Sequence, residues 1–439
     1  MKKLTKSQFV QISIMLFGLF FGAGNLIFPP LLGNQAGSST WIALASFSIT
    51  AVAFPVMAAI AVSKTDGLKN LAAKVGPIFA IIFTTAIYLS IGPGLGIPRA
   101  GSVPFEMAIA QYLPETFNIA LARLIYTSIF FGIALWISLN PNKLVRRLGK
   151  FLTPTLLILI LIMFLKIFTA PHSVAGPVGE YKASPIAQGF LAGYDTMDAV
   201  AGLNFGFVVT ASIIGFGIKD KKVVTKYTVK AGLVAGSVLL LVYAMLSTVG
   251  MLTSKKFAGA ENGAVILNNS VRLMFGDFGV ILLASIFTLA CLTTCIGLIT
   301  SGSQYFHGLF KEKLSYRTWV VIWSGFSFLM ANFGLNKLLA LSVPLLIVIY
   351  PVALVLIVMG ITDDIFKYSR ATYRLAAAIS VVLPTIYMFR AVLKIEIPLL
   401  SRYELLLPFA DKGLSWLLPS IGAIVLMKVF DLVTKKKAY

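Results

Sequence analysis

The sequence predicts an all-α polytopic membrane protein with twelve transmembrane helices. Three observations lead there. Of 439 residues, 58% are hydrophobic and only 12% are charged. The mean hydropathy is +0.91. Apolar runs of about 20 residues, enough to cross a bilayer core as a helix, recur along the chain. They place spans near 9–33, 39–62, 76–112, 119–139, 148–170, 186–217, 229–252, 277–306, 317–335, 338–360, 373–391 and 413–433. This leaves one membrane domain over 1–439 and no room for a soluble one. No small-residue cleavage site follows the first run, which predicts a retained span rather than a signal peptide.

Charge orients the bundle. The net charge of +21 would suit a nucleic-acid binder, but its distribution follows the membrane instead. With the N-terminus in the cytoplasm, 24 lysines and arginines fall on inside segments, among them Lys2, Lys64, Lys74, Lys221 and Lys435. Only 9 fall outside, among them Lys182, Lys337 and Lys412. That skew is the positive-inside pattern and predicts two cytoplasmic termini.

The first span carries Phe20-Phe21-Gly22-Ala23-Gly24-Asn25-Leu26-Ile27-Phe28-Pro29-Pro30. Gly22 and Gly24 weaken a helix, and the two prolines cannot donate to carbonyls four residues back. Unpaired backbone in lipid is tolerated only where protein or a water-filled cavity satisfies it, and broken helices at mid-membrane are how secondary transporters build binding sites. The helix restarting after Gly22–Asn25 offers free N–H groups and a positive dipole end to a carboxylate.

The second to fifth spans complete a first unit over 7–170, and spans six to ten form a second over 186–360; spans eleven and twelve occupy 373–433. Because five is odd, the two units must be inverted, and inverted repeats predict interruptions at matching positions. The sixth span has three glycines and two acids in Gly189-Phe190-Leu191-Ala192-Gly193-Tyr194-Asp195-Thr196-Met197-Asp198-Ala199-Val200-Ala201-Gly202. A break around Gly193–Asp198 would free carbonyls for an ammonium, with Asp198 assisting. Phe20, Phe21, Phe190, Tyr194 and Met197 are the candidate apolar lining. The third span, Gly76 to Tyr112, is too long and too rich in glycine and proline for a straight helix. Its Arg99 and Glu106 lie about two turns apart, which suits either a structural ion pair or a role in gating or proton transfer. In the eighth span Thr293, Thr294 and the Ala290 carbonyl cluster oxygens suited to sodium. Cys291 and Cys295, four apart there, read as packing residues, and His172 and His307 as solvated ones.

No Gly-rich phosphate loop, zinc-ligand spacing or Ser-His-Asp set is present, so the reading is a carrier and not an enzyme, with no cofactor beyond a coupling ion. Asp363-Asp364 reads as a solvated turn.

Phe21 through Pro30, Pro98-Arg99 followed by Phe105-Glu106, Gly193-Tyr194 with Thr196-Met197-Asp198, and Ser315-Tyr316-Arg317 together resemble the bacterial branched-chain amino acid:cation symporters, the LIVCS family, from the first span through the twelfth. The resemblance implies sodium-coupled uptake of L-leucine, L-isoleucine and L-valine across the bacterial cell membrane, on a neurotransmitter:sodium symporter-like fold. It implies that the amides of Ala23 and Gly24 receive the substrate carboxylate. It implies a sodium site from the carbonyls of Gly18, Phe21 and Ala290 with the hydroxyls of Thr293 and Thr294, and gives Asn25 a place in a further one. Joined with the reading of the residues themselves, the substrate site comprises Gly22, Ala23, Gly24, Asn25, Gly193, Tyr194, Thr196 and Asp198. The alternatives are a proton-coupled carrier using Asp198 or Glu106 and a transporter-like nutrient sensor.

Overall fold

Thr5 starts the first helix. Its hydroxyl accepts from the Gln8 amide at 3.2 Å while Gln8 Oε1 accepts from the Thr5 amide at 2.9 Å, a reciprocal cap that satisfies two donors. The computed structural model describes residues 3–434 except 115, 334 and 396, and the side chains of 335–342 also lie outside that description. The charges assigned above to Lys2, Lys337 and Lys435 fall outside it.

The first half of the chain forms α1 (Lys6–Phe20), α2 (Ala23–Ala36), α3 (Thr40–Ser48), α4 (Phe54–Lys64), α5 (Leu68–Ala73), α6 (Pro77–Leu89), α7 (Gly96–Ala108), α8 (Ile119–Ser138), α9 (Leu144–Arg147) and α10 (Thr153–Phe168). The second half forms α11 (Glu180–Ala183), α12 (Pro185–Tyr194), α13 (Asp198–Gly215), α14 (Lys221–Leu252), α15 (Gly263–Phe275), α16 (Asp277–Leu309), α17 (Tyr316–Ala331), α18 (Leu335–Phe366), α19 (Arg370–Tyr387), α20 (Pro398–Leu405) and α21 (Leu417–Val433). Side-chain caps recur at the starts: Asn118, Ser184, Asp220, Asn262, Ser315 and Ser369 each accept from an amide of the first turn.

Among the described residues, nine helical segments are long and apolar enough to cross a membrane by length and composition. The spans read at 9–33, 317–335 and 413–433 are not among them as separate segments, because α1, α17 and α21 have 15, 16 and 17 residues. Five helices, α5, α9, α11, α15 and α20, fall outside the spans read from sequence. Asn262 caps α15, whose Asn268 donates to the Met107 carbonyl at 2.6 Å and holds it against the end of α7. Pro185 and Pro398 likewise begin α12 and α20, fitting the first turn where no amide is needed.

The packing is reciprocal. The first broken pair, α1 and α2, lies on α14, whereas the second, α12 and α13, lies on α3 and α4. Contact is close because small residues meet backbone. A Cβ on Gly33 would come within 1.9 Å of the Ser247 carbonyl oxygen, and one on Gly250 within 1.9 Å of that of Pro30. Beside them α7 packs on α16, α18 packs on α4 and α19, and α21 covers α19. Large apolar side chains such as Ile78, Ile129, Leu241 and Leu426 remain exposed on the periphery, the face a bilayer covers.

The charged loops separate to the two ends. Lys64 pairs with Asp364 at 2.7 Å, Lys74 with Asp363, and Lys221 with Asp66 at one end. Asp363 and Asp364 thus lie at the end of α18 and not in a loop turn, since the helix runs on to Phe366; both are ion-paired, Asp363 half-buried and Asp364 exposed to solvent. At the other end Lys412 meets Glu180 at 3.5 Å, and Arg390 meets Glu404 at 2.8 Å.

Candidate functional site

Of the last four carbonyls of α1, that of Phe17 keeps its amide four residues on and the other three find another donor. The Phe21 amide bonds Phe17 O at 2.9 Å and the Gly22 amide bonds Phe20 O at 3.1 Å. Thr293 Oγ1 reaches Gly18 O at 2.8 Å and Thr294 Oγ1 reaches Leu19 O at 3.0 Å, both from α16. The non-helical stretch is two residues, Phe21 and Gly22, shorter than the Gly22–Asn25 interval read from sequence. Gly24 and Asn25 already belong to the first turn of α2, because Asn25 Oδ1 accepts from the Gly22 amide at 2.9 Å and closes a cap there. Further along α2, Pro29 and Pro30 supply no N–H to the carbonyls of Asn25 and Leu26.

The second interruption is Asp195–Met197, where Met197 takes a left-handed φ of 55°. A side chain other than glycine in that region costs energy, so the surroundings must hold it. Thr196 Oγ1 donates to Gly193 O at 2.8 Å, and Asp198 opens α13.

Asn25 joins the two interruptions. It is 2% exposed; its Nδ2 donates to Asp198 Oδ2 at 2.7 Å and also to the Tyr243 hydroxyl on α14. Around this junction lies a cavity of about 130 Å³, walled by Phe20, Gly22, Ala23, Gly24 and Asn25 from the first interruption. Asp195, Thr196, Met197 and Asp198 form the second wall, and Arg99, Cys291 and Thr294 face in from α7 and α16.

Several sequence assignments are redrawn. Arg99 and Glu106 do not pair: Glu106 binds Arg123 of α8 at 2.7 Å. The chain breaks at Leu95 (φ −145°, ψ −55°) before α7 begins, which turns Arg99 into the cavity, while Glu106 emerges two turns later beside α8. Gly193 is not at the cavity. A Cβ there would come within 2.2 Å of Thr50 Oγ1 on the second span, so this glycine serves close packing. Tyr194 turns away, edge-on to Tyr350 at 4.7 Å, and with Phe190 lines a separate apolar cavity beside α18 and α21. Phe21 stacks on Phe17 at 5.2 Å inside the core instead of lining the site.

The oxygen cluster differs in one member. Thr293 Oγ1 lies 2.8 Å from Gly18 O and 2.9 Å from Ala290 O, while Thr294 is engaged by Leu19 O rather than by the Phe21 carbonyl. Helix α1 has stopped by Phe20, so the carbonyl one residue farther on follows a different direction. Tyr243 and the cavity position of Cys291 were missed from sequence. Tyr243 sits in an ordinary apolar run with nothing local to mark it, and Cys291 was read as packing.

A helical bundle with an apolar exterior, whose interrupted helices line a mixed polar and apolar cavity, defines a multi-pass membrane protein. Structural comparison finds the same fold in known proteins. Mhp1, a nucleobase-cation-symport-1 family transporter in a closed conformation with bromovinylhydantoin bound, superposes with a TM-score of 0.58 over 97% of this chain and 92% of its own, at 13% identity. A manganese transporter mutant from Eremococcus coleocola gives 0.57 over 98% and 95%, at 14% identity. At these identities the likeness is one of fold.

The chain belongs to the branched-chain amino acid transport protein family, whose model matches residues 5–434. The branched-chain amino acid permease BraB of Bacillus subtilis is 41% identical over 95% of this chain and 94% of its own length. The permease BrnQ of Lactobacillus delbrueckii subsp. lactis is 36% identical over the whole of both chains. With such bacterial relatives and its apolar helices, this is a multi-pass bacterial membrane protein.

Proposed function

We propose that the chain is a sodium-coupled symporter of leucine, isoleucine and valine that works by alternating access. In this reading the protein crosses the membrane twelve times, as two inverted repeats over 7–170 and 186–360 followed by 373–433, with both termini in the cytoplasm. The reciprocal packing of α1/α2 on α14 and of α12/α13 on α3/α4 supports the repeats. The grouping of Lys64, Lys74 and Lys221 with their acids at one end supports the sidedness.

One observation carries the reading: Asn25 ties the first interruption to Asp198 of the second beside a cavity that both interruptions line. A zwitterion there finds free amides at the start of α2 for its carboxylate and Asp198 for its ammonium. Sodium, as co-transported cargo, takes the neighbouring oxygens of Gly18, Ala290 and Thr293, with Thr294 beside them. The permease names of the relatives support the branched-chain substrate class. One sodium moving down about 100 mV and a tenfold gradient releases roughly 3.7 kcal/mol, which supports accumulation on the order of 500-fold.

The test is labelled-leucine uptake into proteoliposomes with a sodium, potassium or proton gradient as the only driving force. Sodium-driven uptake is expected; uptake indifferent to sodium removes the cation assignment. A second reading, proton coupling, is favoured by the carboxylate of Asp198 on the cavity wall. It requires proton-driven uptake that Asp198→Asn abolishes.

A further inference from the structure

Among the described residues, Arg99 is the only lysine or arginine on the cavity wall. Among the described residues its guanidinium has no hydrogen-bond or ion-pair partner; it is attracted electrostatically to Asp198, which lines the same cavity. Two features make this placement costly. An unpaired cation within a membrane protein is expensive to hold and marks a functional site by default. Arg99 also lies in the first turn of α7, its amide bonded to Leu95 O at 2.8 Å, and the start of a helix is the end that repels a cation. Both costs are relieved by the same event, the arrival of an anion in front of Arg99.

The neutral donors at the first interruption are partly taken. The Gly22 amide is shared by Asn25 Oδ1 and Phe20 O. A carboxylate drawn out of water needs a charged partner as well as dipoles. Arginine presents a planar fork of donors that fits a carboxylate bidentately.

We infer that Arg99 receives the carboxylate of the transported amino acid and Asp198 its ammonium, so that the pair selects an α-amino-acid zwitterion over amines and amides of the same side chain. This rests on the proposed function and names the residue that reads the acid group. Asp198 keeps one oxygen on Asn25, which fixes its position relative to the first interruption, and has the other for the cargo.

The experiment measures ligand affinity from the concentration dependence of thermal stabilisation of the full chain in detergent. The ligands are leucine and leucinamide, whose carboxylate is replaced by a neutral amide. The proteins are wild type, Arg99→Gln and Arg99→Lys. Losing a charged hydrogen-bonded contact weakens binding by about 10- to 100-fold. Arg99→Gln is therefore expected to lose that much for leucine and less than threefold for leucinamide, with Arg99→Lys between. Leucine bound by Arg99→Gln within threefold of wild type overturns the inference. So does an equal loss of both ligands, the mark of a structural role. If Arg99→Gln does not fold, Arg99→Lys decides, and an unchanged leucine affinity there overturns it too. A wild-type protein that binds no leucine refutes the proposed function itself, a result distinct from failure of the Arg99 role.

Discussion

Replacing Asn25 by alanine deletes three contacts at once: the cap on the Gly22 amide at 2.9 Å, the bond to Asp198 at 2.7 Å and the bond to Tyr243. With about 1 kcal/mol for each neutral bond and about 2 for the charged one, the loss reaches about 4 kcal/mol. Polar contacts measured within membrane proteins average about 0.6 kcal/mol each, which sets a floor of about 2. These bonds fix the relative position of the two interruptions, so their loss appears as a smaller fraction of protein in the binding-competent arrangement. Apparent affinity falls in proportion to that fraction. The expected weakening of leucine binding is therefore roughly 30- to 700-fold. Thermal-shift titration of the purified protein measures it, and leucine counterflow in proteoliposomes checks that transport falls in parallel. Binding within threefold of wild type would mean that Asn25 merely fills space, and the two interruptions would need another clamp.

Thr293→Val keeps the side-chain volume but removes the hydroxyl shared by Gly18 O and Ala290 O. Half-maximal leucine uptake should then need about tenfold more sodium; an unchanged sodium titration removes this threonine from the cation site. Gly250→Val puts a side chain where a Cβ already lies 1.9 Å from Pro30 O. Overpacking of about 3 kcal/mol or more should cost the protein its single sharp peak in fluorescence-detected chromatography, and a monodisperse variant with wild-type melting would refute the close approach. A double-mutant cycle in thermal stability should couple Glu106 to Arg123, which meet at 2.7 Å, by about 1 kcal/mol, and leave Glu106 uncoupled from Arg99. The reverse result would restore the Arg99–Glu106 pair.

The sequence by itself determined the class of this molecule and where its helices meet trouble. Repeated apolar runs dictate a membrane bundle because each crossing must satisfy its own backbone, and local chemistry is enough to find them. Gly22 and Pro93 mark places where α1 and α6 stop, since a missing Cβ or a missing N–H acts within one turn. Asn25, Asp198 and Thr293 stand out for a similar reason: polar groups in an apolar run need partners.

Which partners they find was decided only by the tertiary structure. Seven residues of spacing brought Arg99 and Glu106 onto one face of an ideal helix, but the break at Leu95 and the approach of α8 gave Glu106 to Arg123 and left Arg99 to the cavity. Gly193 and Tyr194 share a motif with Asp198 in sequence. In space they point to Thr50 and Tyr350, because they end α12 while Asp198 opens α13 beyond the interruption at Asp195–Met197. Tyr243 reaches Asn25 across 218 positions, in a stretch whose periodicity speaks only of burial. Backbone hydrogen bonding acts over one helical turn and is written locally; the direction of a side chain into a shared cavity depends on how whole helices pack.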